Sequence, residues 1–248
     1  MAQTQTLRTP DNVLVFPDPV ILAHALADEL AHCVRAAVTA RGICHLVFPG
    51  GRSPRLVLEL LRERDLPWPA LHLYPSDERC VAAGDPERND LLVAELLLDT
   101  VPTLPVHLYS IPAELGPEEG AAQFSQLLAR TPPFDIALLG AGPDGHTASL
   151  FSNHPALEDQ RPAVPVLRAP KPPSERVTIS LGRLLAARQR IVIATGLEKQ
   201  AMLRRIQRGA DFPVARLQPT RWYLDSASAG LLDDNTDIQM LRIKGMLN

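Results

Sequence analysis

Cysteine, aromatic residues and net charge are all in short supply in this sequence. The three cysteines, Cys33, Cys44 and Cys80, are odd in number and lack CxxC spacing. That argues against a disulfide framework or a structural zinc site, so each thiol reads as a small buried hydrophobe in a reducing compartment. Aromatics make up only 4% of the chain. Lys and Arg total 25 against 28 acids, a net charge of -3. No basic surplus is present for nucleic acid or an anionic membrane to grip. No stretch approaches the roughly 18 apolar residues of a spanning helix, and MAQTQTLRTPDN at the start lacks the apolar core of a signal peptide. The expectation is a cytoplasmic protein that binds neither nucleic acid nor membrane.

Proline is the residue in excess. There are 24 prolines and 14 glycines in 248 residues, so proline stands at about twice its usual share. At that density it must fall mainly in loops, which predicts many punctuated elements. An apolar fraction of 46% is too high for disorder. A chain of this length folded as one unit buries roughly 70–75% of its unfolded surface and needs no metal or disulfide staple. Residues 1–248 are expected to form a single α/β domain, with 1–12 as a flexible N-terminal extension.

Periodicity supplies the elements. Asp18-Pro19 reads as a helix cap and first turn, followed by Leu22, Leu26, Leu30, Val34 and Val38 at four-residue spacing up to Gly42. A strand over 43–48 stops at Pro49-Gly50-Gly51, and a helix capped by Ser53 follows. Further strands are expected at 71–74, 106–109, 134–139, 163–168, 176–181, 190–194 and 221–224. Helices are expected at 87–98, 117–130, 196–208 and after the last strand, with a short helical piece before Pro155. Strands alternating with helices indicate a mainly parallel sheet with helices on both faces. Ligands of such sheets sit at the carboxyl ends of strands. That rule selects four loops: 49–53, 75–80, 140–147 and 195–199.

Each loop carries chemistry and a plainer alternative. Gly50-Gly51-Arg52-Ser53 before a helix can cradle a phosphate or be a simple turn; it is not a Walker loop, lacking GxxxxGK[ST]. Ser76-Asp77-Glu78-Arg79 can serve acid–base work, hold a sugar hydroxyl, clamp a phosphate or form an exposed salt bridge. Asn89 can help through its amide or simply start a helix. Gly140-Ala141-Gly142-Pro143-Asp144-Gly145 matches GxGxxG, but Pro143 removes a donor and Pro155 leaves no room for the long helix of a dinucleotide site. What remains is His146 on a glycine-bounded turn beside Asp144, the side-chain pair of a general base and its orienting carboxylate. Asp144, His146 and His154 have no recognised metal-ligand spacing. His24, His32, His45, His72 and His107 fall on helix or strand bodies and read as structural. Lys171, Arg176 and Lys199 are cations that can meet a dianionic phosphate or stay solvated.

Taken together, these motifs resemble the 6-phosphogluconolactonases. Gly50-Gly51-Arg52-Ser53-Pro54, Ser76-Asp77-Glu78-Arg79, Asn89, the run Gly140 to Phe151 containing Asp144-Gly145-His146-Thr147-Ala148-Ser149, Lys171-Pro172-Pro173 with Arg176-Val177-Thr178, and Gly196-Leu197-Glu198-Lys199 occur in order. The resemblance covers about residues 13–235. It implies a Rossmann-like fold shared with glucosamine-6-phosphate deaminase, and hydrolysis of 6-phosphoglucono-1,5-lactone in the oxidative pentose phosphate pathway with no metal or organic cofactor. It implies that His146 activates water and Asp144 supports its loop. Gly50, Gly51, Arg52, Ser53, Arg79 and Lys199 would hold the phosphate, with Asp77 and Lys171 near the sugar. Two positions depart from the pattern: Pro49 replaces a frequent hydroxyl residue, and Ser152-Asn153 stands where a proline is expected after Phe151. The alternatives are a deaminase or isomerase of glucosamine 6-phosphate, and a non-catalytic sugar-phosphate sensor. Oligomeric state is left open.

Overall fold

The computed structural model describes residues 12–98 and 107–230, with the side chains of Arg52 and Leu98 outside the described set. In chain order the strands are β1 (Val13–Phe16), β2 (Cys44–Phe48), β3 (Leu71–Pro75), β4 (Asp77–Arg79) and β5 (His107–Leu108), then β6 (Ile136–Gly140), β7 (Ala163–Val166), β8 (Arg176–Ile179), β9 (Gln189–Ala194) and β10 (Arg221–Asp225). The helices are α1 (Pro19–Arg41), α2 (Arg52–Leu61), α3 (Asn89–Val93) and α4 (Pro117–Arg130), then α5 (Leu181–Leu185), α6 (Gln200–Gln207), α7 (Pro213–Arg216) and α8 (Ser226–Ala229).

Seven strands form one parallel sheet in the order β1-β10-β9-β6-β2-β3-β5. Both faces are covered, as a parallel sheet requires. Alternate residues of β2 show it: Cys44, Leu46 and Phe48 join one core with the α1 stripe, while Val47 joins the other with Phe124 of α4 and Leu203 of α6. The α1 stripe follows from sequence. Asp18 accepts from the Val20 and Ile21 N–H groups, Leu22, Leu26, Leu30 and Val34 are buried, and Gly42 ends the helix at φ +82°. Truncating one of those leucines to alanine costs about 2–5 kcal/mol in a core of this kind.

The structure departs from sequence expectation at several points; the helix expected over 87–98 is α-helical only over Asn89–Val93 and continues as a π turn over Ala94–Leu98. Residues 75–80 are not a loop: β4 pairs antiparallel with β8, and β8 with β7, in a second, three-stranded sheet. Between β6 and Pro155 there is no α-helix; Thr147 and Leu150 bridge in a tight turn, and the helical turn before β7 is the 3-10 segment Pro155–Leu157. Ser53 is not a cap, because α2 begins one residue earlier, at Arg52 behind Gly51. The helix expected over 196–208 opens as a 3-10 turn, Leu197–Lys199. Residues 1–11, Val106 and the chain beyond 230 lie outside the described residues, as does any longer C-terminal helix there.

Three of the five histidines read as structural form a ladder across the amino-terminal end of the sheet. The register sets His45 beside His72 and His72 beside His107, with ring centroids 5.2 Å and 4.6 Å apart. Tyr74 and Tyr109 hydroxyls meet His45 and His72 Nδ1 at 3.0 Å and 2.9 Å. His45 is buried, and its Nε2 has no partner among the described residues. Burial pushes the His45 pKa down and the Arg183 charge adds to this, against an opposing pull from Asp135. His72 is shifted the same way, by burial first and then by its histidine neighbours. At these two rings the native state therefore binds fewer protons than the unfolded chain, so the stability they contribute is lost as pH falls from about 6.5 through the lowered native values. In urea titrations at pH 7.5 and pH 5.0, His45→Leu should lose less stability on acidification than the wild type. Equal losses would remove the ladder as the cause.

Candidate active site

The sheet order places a switch point between β2 and β6. The chain leaves β2 toward β3 and β5, then returns to lay β6 on β2's other side. Loops at the carboxyl ends of such strands diverge and open a crevice. Here a cleft of about 600 Å³ lies there, lined from all four expected loops.

From β2 comes Pro49-Gly50-Gly51. Gly51 adopts φ +103°, which turns the chain directly into α2, whose first turn has no side-chain cap. Unfilled N–H groups at a helix start attract an anion. Gly50 is fixed by contact: a Cβ there would lie 1.9 Å from Asn89 Oδ1. Asn89 in turn donates to the Asp77 carbonyl at 2.7 Å. Ser53 Oγ lies 2.6 Å from Thr195 Oγ1, joining this loop to the one after β9.

From β6 comes the loop bearing His146. Gly142 N–H donates to the His146 carbonyl at 2.8 Å, Gly145 N–H to the Gly142 carbonyl at 2.9 Å, and Thr147 Oγ1 to the Gly140 carbonyl at 2.9 Å. The imidazole packs against Phe151, and its Nδ1 meets Asp144 Oδ1 at 2.5 Å. Lys171 Nζ stands 3.3 Å from both partners. Burial alone would raise the Asp144 pKa, but its hydrogen bond to His146 and the charges of His146 and Lys171 outweigh this and hold it well below the carboxylate range. Asp144 is thus anionic, and with Nδ1 engaged, Nε2 is the nitrogen left for the cleft.

The small sheet delivers the Asp77-Glu78-Arg79 segment. Glu78 is fully buried and accepts N–H bonds from Arg79, Asn89 and Asp90. Burial pushes its pKa up to about 7 against those bonds. It ties β4 to the start of α3 and does not line the cleft. Asp77 does line it, its carboxylate held by Ser76 Oγ at 2.7 Å and Ser149 Oγ at 2.6 Å. Arg79 is the β-sheet partner of Arg176, so two guanidinium-bearing residues stand side by side at the cleft. Arg176 is itself a clamp. It donates to the Lys171, Pro172 and Pro173 carbonyls at 3.2, 2.9 and 3.0 Å, fixing the turn from which Lys171 reaches His146.

Of the residues expected from sequence, Gly50, Gly51, Ser53, Asp77, Arg79, His146 and Lys199 line one cleft. Asp144 and Lys171 stand behind His146. Arg52 heads α2, and its side chain lies outside the described set. His154 is turned elsewhere, with Nε2 at 2.7 Å from the Leu167 carbonyl and Nδ1 accepting from Ala156 N–H. Among the described residues no group of three or more His, Cys, Asp or Glu could hold a metal ion, and no helix is long and apolar enough to cross a membrane. Sequence reasoning gave no role to Thr195 and named Ser149 only as part of the run from Gly140 to Phe151. Thr195 directly follows β9, so the carboxyl-end rule could have found it; nothing local marks Ser149.

A profile of the glucosamine-6-phosphate isomerases/6-phosphogluconolactonase family matches residues 17–225. A Streptomyces coelicolor protein named 6-phosphogluconolactonase is 36% identical over 245 residues, covering 89% of this chain and 94% of its own. The human 6-phosphogluconolactonase is 35% identical over 250 residues, covering 90% and 94%. A crystal structure of a 6-phosphogluconolactonase from Shewanella baltica superposes with a TM-score of 0.79 at 27% identity, over 89% of this chain and 99% of that one. A monomeric glucosamine-6-phosphate deaminase shares the fold, with a TM-score of 0.74 at 16% identity. The extent of these matches settles that the chain belongs to the glucosamine-6-phosphate isomerase/6-phosphogluconolactonase family.

Proposed function

We propose that this protein hydrolyses 6-phosphoglucono-1,5-lactone to 6-phosphogluconate, as a cytoplasmic step of the oxidative pentose phosphate pathway without metal or organic cofactor. The observation that carries the reading is the His146–Asp144 pair, facing a cleft that also holds an uncapped helix start and Lys199. A base and an anion cradle in one cleft suit a phosphorylated ester.

In this reading the phosphate rests on the N–H groups at the start of α2, the Ser53 hydroxyl and Lys199, with Gly50, Gly51 and Arg52 forming the turn beneath it. Phosphate binding places the lactone carbonyl near His146. Nε2 takes a proton from water as the water oxygen bonds to the carbonyl carbon, and Asp144 stabilises the imidazolium that forms. Arg79 joins Lys199 at the phosphate, while Asp77 and Lys171 stand near the sugar. Collapse of the tetrahedral adduct breaks the bond to the ring oxygen, which receives the proton from the imidazolium. A lactone is an activated ester, so positioning plus a base suffices without a covalent nucleophile.

The test is hydrolysis of freshly generated 6-phosphogluconolactone, corrected for the spontaneous reaction, beside an assay for ammonia release from glucosamine 6-phosphate. Fast lactone loss without ammonia is expected; ammonia release would favour the deaminase. Replacing Lys199 with Met should weaken 6-phosphogluconate binding by about 10- to 100-fold, the range for lost hydrogen bonds to a charged group. Gluconate binding should change little, and calorimetry measures both.

A further inference from the structure

Lys199 carries a counter-ion from its own chain. Its side chain is 15% exposed, and its Nζ lies 3.6 Å from Glu198 Oε1. The same carboxylate folds back over Gly196, where a Cβ would stand 2.4 Å from Glu198 Oε2. Glycine at 196 is therefore what lets Glu198 lie against its own loop. Glu198 lines the cleft with Gly51, Ser53 and Lys199. Asp77, the other carboxylate of the lining, is already occupied by two serine hydroxyls. Glu198 instead bears on the cation that the phosphate requires.

We propose that Glu198 sets the affinity of the phosphate subsite: an internal anion that occupies Lys199 and must yield it to the incoming phosphate. The inference rests on the lactonase reading. Two effects share one sign. Glu198 competes with the phosphate for the same ammonium, and it repels a dianion brought within a few ångströms. The consequence for turnover follows from the chemistry. Substrate and product carry the same phosphate, so any grip on it holds both alike and lowers no barrier. A carboxylate that loosens this uniform grip speeds release of the product.

Calorimetric titration of the full chain with 6-phosphogluconate and with gluconate tests this, comparing wild type with Glu198→Gln. The side chain is over half exposed, so the amide can replace it without repacking. Glu198→Gln should bind 6-phosphogluconate about 3- to 10-fold more tightly, with gluconate affinity unchanged and the gain shrinking at about 0.5 M salt. Product inhibition in the steady state should strengthen in parallel. Equal or weaker binding by Glu198→Gln overturns the proposal and leaves the carboxylate only orienting Lys199. Failure of the underlying reading looks different: the wild type itself would then bind both ligands equally.

Discussion

His146→Ala should slow lactone hydrolysis by at least about 100-fold while leaving affinity for 6-phosphogluconate nearly intact. A positioned general base contributes roughly 10²–10⁴-fold, and its removal takes away an interaction made only as the water attacks. The split between rate and affinity is set by the geometry. His146 is held from behind, through Nδ1, by Asp144, with Lys171 donating to that carboxylate, whereas the proposed phosphate groups belong to the loops after β2 and β9 and to Arg79 of β4. Truncating the imidazole therefore touches the chemistry and not the cradle. Nor does it empty the core: its ring partner is Phe151 on a neighbouring turn, and the main chain of the loop is tied by bonds the side chain does not make. Single-turnover rates with the lactone and calorimetry with the product separate the two quantities. An unchanged rate would remove His146 from its role.

The parts of this arrangement that could be read in the sequence are those specified by neighbours in sequence. Asp18-Pro19 and Gly42 bound α1 because a cap and a left-handed glycine act within a few residues. Helix α4 spans the expected 117–130 because its apolar spacing and leading proline are both local. Three of the four expected loops, 49–53, 140–147 and 195–199, were legible because a strand followed by glycine or charge marks a carboxyl end wherever the strand later pairs. What could not be read depends on distant partners. Asp77-Glu78-Arg79 has no apolar alternation, so it reads as loop; it becomes a buried strand because Ser149, Asn89 and Asp90 satisfy its carboxylates. Ser53 carries a capping side chain, but Gly51 starts the helix first, and the hydroxyl goes to Thr195, 142 residues away. The proline surplus divides in the same way. Pro165 sits in β7, the edge strand of the small sheet, where a missing donor is tolerated. Pro49, Pro54 and Pro143 line the cleft, and the Pro172 and Pro173 carbonyls receive Arg176, so part of the excess serves the site.

Gly142→Ala should lower turnover by about 100-fold without unfolding the protein, although the change adds a single methyl group. A Cβ at 142 would stand 2.0 Å from His146 Nδ1, 2.1 Å from its Cε1 and 2.5 Å from Asp144 Oδ1. The obstacle is space rather than backbone conformation, since Gly142 is not among the positive-φ residues. All three distances are far inside van der Waals contact, so the methyl group and the His146–Asp144 hydrogen bond cannot coexist. The imidazole must swing away or the carboxylate must leave it. Either movement removes the orientation of Nε2, and a misplacement of about 1 Å at a reacting group is enough for a loss of this size. The cost to stability should be small, because Asp144 lies on an open turn and no core side chain is displaced. Thermal unfolding near that of the wild type, combined with the rate loss and unaltered binding of 6-phosphogluconate, is the expected pattern. Wild-type turnover in Gly142→Ala would mean that the pairing of Asp144 with His146 is dispensable, and the proposed mechanism would lose its base.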